Sequence, residues 1–330
     1  HAGKFHVAPK ETFAFEEFFN FEFKDHKTSI DMAEAIQPVI EKEDNRPFFL
    51  YFCTREPHRP FQRSHADPVN PGEVRVPPFL PDTDECRKEL AEYYMSCHEA
   101  DLALGKVLDA IKASGHWDDT VIIWIADNGL PFPGAKTSLY EPGVRLPCVI
   151  RHPELTRKNA TNQAMINWSD LPPTLLDIAH ATPEKAQYHG RSLLPILETE
   201  SPGGWDEVYF SHTFHEVTMY YPVRGYRDRR YKFLWNLAHP LEFPFARDLW
   251  DSETWQGVLK RGDTHYGNRS VEALLHRPEF ELYDLEQDPW ETTNLALQEE
   301  FKSHATSFHQ KVREFQERTE DPWVIKWKHE

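Results

Sequence analysis

Asp127, Asn128 and Gly129 follow a run of six apolar residues, 121–126, and Lys136 stands seven residues beyond the glycine. A carboxylate and an amide oxygen at the end of such a run suit a hard cation, Ca²⁺ or Mg²⁺, rather than a soft metal. A nearby lysine can hold an anionic group against that cation. The combination suggests a metal site for a charged oxyanion. Asp and Asn beside Gly are also ordinary turn chemistry, because both tolerate left-handed backbone. Two ligands are too few for a cage, so further carboxylates must come from elsewhere.

Other residues are individually open to two readings. Lys4 and His6 fall on the same face of an extended segment and could touch one oxyanion together, or they form a solvated terminus. His58, within Glu56-Pro57-His58-Arg59-Pro60, is placed to be a general acid or is one surface histidine among eighteen. Lys136 gains a role only if its loop folds back over Asp127. His215, Glu216 and Arg224 could form an acid/base and binding group or a plain surface cluster, and spacing does not decide between them.

The elements that must position these residues alternate in the first half of the chain. The spacing predicts a helix over 28–43, a buried strand over 47–53, and a Pro-rich loop over 57–81. A long helix capped by Thr83 or Asp84 should run to near Gly115. Strands follow over 121–126 and 146–151, then a short helix over 172–179 capped by Ser169. Asp127 and His58 thus both follow strand ends, where α/β sheets open onto a ligand crevice. Alternating strands and helices imply an α/β layer with a largely parallel sheet. After Pro202-Gly203-Gly204 the pattern changes. Strands are expected over 208–215, over 223–237 with a hairpin break at Asp228, and over 280–285, with a helix over 301–318. A boundary near residue 200 separates an α/β part, 1–200, from a smaller α+β part, 201–330.

The 330 residues carry 37 Lys and Arg against 54 Asp and Glu, a formal charge of −17. That disfavours a nucleic-acid or anionic-membrane binder, which carries a basic face. A few local cations can still serve an anionic small substrate. No apolar run reaches the ~18 residues of a membrane span. The chain opens at His1, so the lack of a signal-like stretch says little about export. Cys53, Cys86, Cys97 and Cys148 form no C-x-x-C pair, and Cys86 and Cys97 lie roughly 16 Å apart on one predicted helix, too far for a disulfide. Three N-x-[ST] triplets begin at Asn159, Asn167 and Asn268 and permit glycosylation in a secretory protein.

The order of the motifs is more specific than any one of them. Gly3-Lys4-Phe5-His6, Pro57-His58-Arg59, Ala126-Asp127-Asn128-Gly129 and Lys136 together resemble the type I sulfatase family of the alkaline-phosphatase superfamily. Gly190-Arg191-Ser192-Leu193-Leu194-Pro195 is similar to the segment closing the family's main domain. Tyr283-Asp284-Leu285 and the stretch from Asp288 to Ala296 are similar to its C-terminal signature. Pro131-Phe132-Pro133, His215-Glu216-Val217-Thr218-Met219 with Tyr221-Pro222 and Arg224, and Asp321-Pro322-Trp323 resemble the sulfamidase subgroup, the N-sulfoglucosamine sulfohydrolases.

The resemblance implies an alkaline-phosphatase-like core, a mostly parallel sheet between helices, followed by a smaller α+β domain with an antiparallel sheet. It implies sulfate removal from a sulfated saccharide by a formylglycine nucleophile with one Ca²⁺, Mg²⁺ being the alternative. Asp127 and Asn128 match metal ligands. Lys4, His6, His58 and Lys136 match catalytic positions, with His58 as proton donor, and His215, Glu216 and Arg224 match the substrate side. Sulfamidases tend to carry arginine where Lys136 stands, and the two cations bind oxyanions differently. The family's C/S-x-P-S-R nucleophile motif and early Asp-Asp ligands are absent from these residues, so the resemblance implies a core incomplete at its N-terminus and inactive alone. An exported, periplasmic or lysosomal location follows from resemblance only, and a homodimer is compatible with it. Two alternatives stand beside this reading: a phosphate or phosphonate monoester hydrolase of the same superfamily, and a non-catalytic module binding sulfated glycan through Lys4, Lys136 and Arg224.

Overall fold

Thr28 opens the first helix. Its hydroxyl accepts from the Asp31 N–H at 3.3 Å, and the Asp31 carboxylate takes the Thr28 N–H at 2.6 Å, a reciprocal cap that satisfies two end donors. Helix α1 (Ser29–Ala35) then yields to a short helix, α2 (Gln37–Ile40). The single helix expected over 28–43 is broken there because Pro38 has no N–H to continue the ladder. The computed structural model describes residues 1–5, 7–9, 11–19, 28–42, 46–61, 63–183, 188–216 and 219–328.

The remaining helices are α3 (Asp84–Ala113), α4 (Glu141–Val144), α5 (Leu171–Ile178), α6 (Arg247–Trp250), α7 (Glu253–Arg261), α8 (Val271–Leu275) and α9 (Lys302–Arg318). The strands are β1 (Ala2–Gly3), β2 (Phe52–Cys53), β3 (Ile122–Ile125), β4 (Cys148–Arg151), β5 (Glu207–Phe214), β6 (Tyr220–Asp228), β7 (Tyr231–Asn236), β8 (His265–Tyr266), β9 (Arg269–Ser270) and β10 (Phe280–Asp284). Contacts group them into two compact units. One holds His1–Ile123, Val149–Pro153 and Asp251–Arg261; the other holds Trp124–Cys148, Glu154–Trp250 and Gly262–Glu330.

In the first unit β1 and β2 are parallel, with Gly3 opposite Cys53. Gly3 is left-handed at φ +90°, and a Cβ there would stand 2.0 Å from the Cys53 carbonyl oxygen, so only glycine fits. Helix α3 starts at Thr83, whose hydroxyl accepts from Cys86 N–H, and it buries Cys86, Leu90, Val107 and Ile111. Val107 and Ile111 join Ile36 and Ile40 in a core that also takes Phe48, Leu50, Phe52 and Ile122. The alternate residues Phe49 and Tyr51 are 62% and 53% exposed. A buried strand is expected over 47–53. The period of two instead places one face in the core, and only Phe52–Cys53 are ladder-paired. Trp124 on β3, where the second unit begins, is 41% exposed.

The second unit is built on an antiparallel sheet ordered β10-β7-β6-β5. Asp228 makes the β6–β7 hairpin by accepting from the Arg230 and Tyr231 N–H groups at 2.9 and 2.7 Å. Tyr221, Val223, Leu234 and Tyr283 pack one face against Leu139, Tyr140 and Phe243. Tyr226, Phe233, Trp235 and Leu282 pack the other under Phe308 and Val312 of α9. The helix expected over 172–179 is α5, but Ser169 does not cap it. Asn167 and Asp170 instead form a reciprocal cap on the turn Trp168–Asp170 that leads into it.

Candidate functional site

The parallel register brings the ends of β1 and β2 side by side in the first unit. Lys4 N–H donates to the Cys53 carbonyl at 3.2 Å, fixing Lys4 at that edge. Five residues past Cys53, the His58 N–H donates to the Arg55 carbonyl at 3.0 Å. His58 Nδ1 lies 2.5 Å from the Arg59 carbonyl. A carbonyl only accepts, so Nδ1 carries the proton and Nε2 is the nitrogen whose protonation can change. Two residues before it, Glu56 is buried and bound to the Ser29 hydroxyl at the start of α1. Ser29 also takes the Arg55 N–H at 3.1 Å. This Ser29–Glu56 brace fixes the loop that carries His58, and nothing in the local sequence links residues 27 positions apart. His6 lies outside the described residues.

In the second unit β3 ends into Asp127 and Asn128. The Asn128 amide donates to Asp127 Oδ1 at 3.0 Å and to the Gly129 carbonyl at 3.3 Å. Gly129 N–H donates to the Gly143 carbonyl at 3.1 Å. A Cβ on Gly129 would meet the Pro142 carbonyl oxygen at 1.9 Å, so the close approach demands glycine. Asp127 is exposed and Asn128 half-buried. In kind, a carboxylate and an amide oxygen fit a hard cation, provided the Asn128 amide turns its oxygen toward the ion. Among the described residues no group of three or more His, Cys, Asp or Glu is placed to hold a metal. Asp127 and Asn128 by themselves fall short of the roughly six or more oxygens that such a cation takes.

Lys136 folds inward. It is 4% exposed, and its ammonium stands 2.7 Å from Asp248 Oδ2 on α6. The neighbouring Arg247 N–H donates to Glu216 Oε2 at 3.4 Å. Helix α6 thus connects Lys136 with the His215-Glu216 turn, which is closed by the Met219 N–H on the Glu216 carbonyl at 3.0 Å. Asp248 and Arg247 escaped sequence reading because they lie 112 and 31 positions from their partners. Arg224 is 5% exposed and forks onto Asp321, with Nη2 to Oδ1 at 2.9 Å, while Nη1 donates to the His212 and Val223 carbonyls.

Below these residues lies a buried charge cluster. Lys232 on β7, 0% exposed, meets Glu141 and Glu291 at 2.8 Å each and donates to the Leu139 carbonyl at 3.0 Å. Burial pushes the Glu141 carboxyl up, but Lys232 and Arg227 outweigh it and hold the group below its usual range. For Glu291, burial prevails over Lys232 and raises it. Glu291 also takes the Glu141 N–H at 2.6 Å. The cluster pins residues 139–141 to the sheet, and the next two residues are those against which Gly129 packs.

The fold is that of the alkaline-phosphatase-like sulfatases, with helices and sheets mixed and an antiparallel sheet toward the C-terminus. A Bacteroides thetaiotaomicron structure from its glycosaminoglycan-metabolising core locus overlays with a TM-score of 0.66 at 18% identity, covering 90% of this chain and 60% of that one. BT4656, solved with its substrate D-glucosamine-2-N,6-O-disulfate, gives 0.53 at 22% identity over 74% and 44% of the two chains. The sulfatase family model matches residues 10–181, and that of the N-sulphoglucosamine sulphohydrolase C-terminal region matches residues 135–252. The chain belongs to the sulfatase family. Human N-sulphoglucosamine sulphohydrolase is 31% identical to it, over 98% of this chain and 72% of the human one. The chain spans between two-fifths and three-fifths of the two solved structures named above.

Proposed function

We propose that this chain carries the Asp127–Asn128 half of a metal site and the sulfate-handling cations of a sulfamidase-like hydrolase that removes sulfate from a sulfated sugar. The observation that supports it most is the 31% identity with the human sulfohydrolase over nearly the whole chain. Asp127 and Asn128 would hold the cation, expected to be Ca²⁺, with Mg²⁺ the alternative. When bound, that ion draws negative charge off the sulfate oxygens. Lys4, fixed at the β1 end, adds a positive charge for the sulfate. His58 keeps Nδ1–H on the Arg59 carbonyl and presents Nε2 to hold or release a proton for the leaving group. Lys136 would meet the substrate by exchanging Asp248 for a sulfate oxygen. His6, His215 and Glu216 complete the proposed contacts.

The sequence holds no C/S-x-P-S-R, so the formylglycine nucleophile would be supplied by a segment not among these residues. The test is sulfate release from N-sulfoglucosamine in the presence of Ca²⁺. The purified chain should be inactive, and the same chain joined behind a family segment bearing C-x-P-S-R, with its formylglycine formed, should be active. Turnover by the chain alone would require another nucleophile. Phosphonate-ester cleavage in place of sulfate release by the joined protein would favour the phosphonate hydrolase alternative.

A further inference from the structure

The three N-x-[ST] triplets are equal in sequence and unequal in the structure. Asn159, Ala160 and Thr161 are all exposed, and Asn159 sits in the left-handed region at φ 55°, which asparagine tolerates. Asn268 is exposed at the tip of the β8–β9 hairpin, next to Gly267 at φ 58°. The residue that follows it is anchored: Arg269 stacks 3.9 Å over Tyr140 and donates to the Tyr283 hydroxyl at 3.2 Å. The asparagine thus stands on a fixed stem. Neither the Asn159 nor the Asn268 side chain hydrogen-bonds to another described residue.

Asn167 is different. Its Nδ2 donates to the Tyr209 carbonyl on β5 at 2.8 Å, and its Oδ1 takes the Ser169 N–H at 3.1 Å. Its own N–H goes to Asp170 Oδ2 at 2.8 Å, and the other oxygen of Asp170 takes the Arg191 N–H at 2.7 Å. Gly190 presses on this turn so closely that a Cβ would lie 2.1 Å from the Ser169 carbonyl oxygen. A sugar bonded to Asn167 Nδ2 must occupy the half-buried space beside β5 and disturb a cap that holds the turn before α5.

We propose that Asn159 and Asn268 are N-glycan acceptor sites of this chain and that Asn167 is not. The co-reactant is a lipid-pyrophosphate-linked oligosaccharide. The asparagine Nδ2 forms a bond to sugar C1, the C1–O bond to the pyrophosphate breaks, the lipid pyrophosphate leaves with the electron pair, and the amide proton passes to base.

The experiment is secretion of the chain from a eukaryotic host, followed by glycopeptide mapping of the folded product. Glycan at both Asn159 and Asn268 with a bare Asn167 is expected. Glycan on Asn167, or a bare asparagine at either other site, overturns the proposal. A second measurement needs no secretion. In unglycosylated protein, Asn167→Gln should lower the melting midpoint by roughly 2 °C or more. Asn159→Gln and Asn268→Gln should leave it within about 1 °C, as exposed substitutions do. An equal or larger fall at either exposed site contradicts the assignment.

Discussion

Two charged groupings in the same unit, Asp127–Asn128 and Lys232–Glu141–Glu291, differ in how far their polar capacity is used. Lys232 is fully enclosed, with two carboxylates at 2.8 Å and a hydrogen bond to the Leu139 carbonyl at 3.0 Å. Asp127 is exposed and is met by one neighbouring amide. A buried charge must be satisfied for the fold to hold, whereas an exposed carboxylate at a strand end costs the fold little and keeps oxygen capacity for a ligand. The contrast separates a group that holds the chain together from one that can work for it.

The sharpest way to break the contrast is Lys232→Met. It leaves the buried Glu291 carboxylate without its cation, while Glu141 keeps Arg227, and should cost about 3–5 kcal/mol, read by urea unfolding. A loss under about 1 kcal/mol would mean the cluster is not what pins residues 139–141. Next is Gly129→Ala. The added Cβ collides with the Pro142 carbonyl and should cost roughly 1–3 kcal/mol by forcing backbone to shift. An unchanged midpoint would show that the Asp127 end is not seated on that backbone.

A third kind of group sharpens the comparison, a half-buried titratable one with no counter-charge. His309 on α9 lies against Trp327, Trp235 and Phe280. Burial, with Arg313 adding to it, pushes its pKa down to about 4 from 6.5. The folded form therefore holds His309 neutral while the unfolded chain takes up a proton. The His309 contribution to stability is complete above about pH 6.5 and is lost progressively as pH falls toward 4. His309→Phe should narrow the difference in melting midpoint between pH 7 and pH 4.5. An unchanged difference would place the acid sensitivity elsewhere. The smallest expected effect is Asp127→Ala, which should change stability by no more than about 0.5 kcal/mol.

The contrast also explains what could be read from the residues alone. Helix α3 was legible because Thr83 caps it and its apolar residues recur at helical spacing. The β6–β7 hairpin was legible because Asp228 is turn chemistry between β-rich runs. The strand ends before Asp127 and His58 were legible as abrupt stops in apolar runs. Burial was less so: PFFLYFC does not say which of its faces is covered, and Phe49 and Tyr51 proved exposed. Long-range partners were not legible at all. Asp248 for Lys136, Asp321 for Arg224 and Ser29 for Glu56 are chosen by tertiary placement, and no local spacing encodes them. For that reason Lys136 and Arg224, which by type suit an oxyanion, are found in ion pairs.

The most direct measurement compares sulfate release from N-sulfoglucosamine by the joined, formylglycine-bearing protein and by its Asp127→Ala variant at saturating Ca²⁺. The expected result is a fall in kcat of roughly 100-fold or more with an unchanged melting midpoint, as when a preorganised charge-stabilising group is lost. An Asp127→Ala protein that releases sulfate at the parent rate would contradict the assignment of this strand end as part of the metal site.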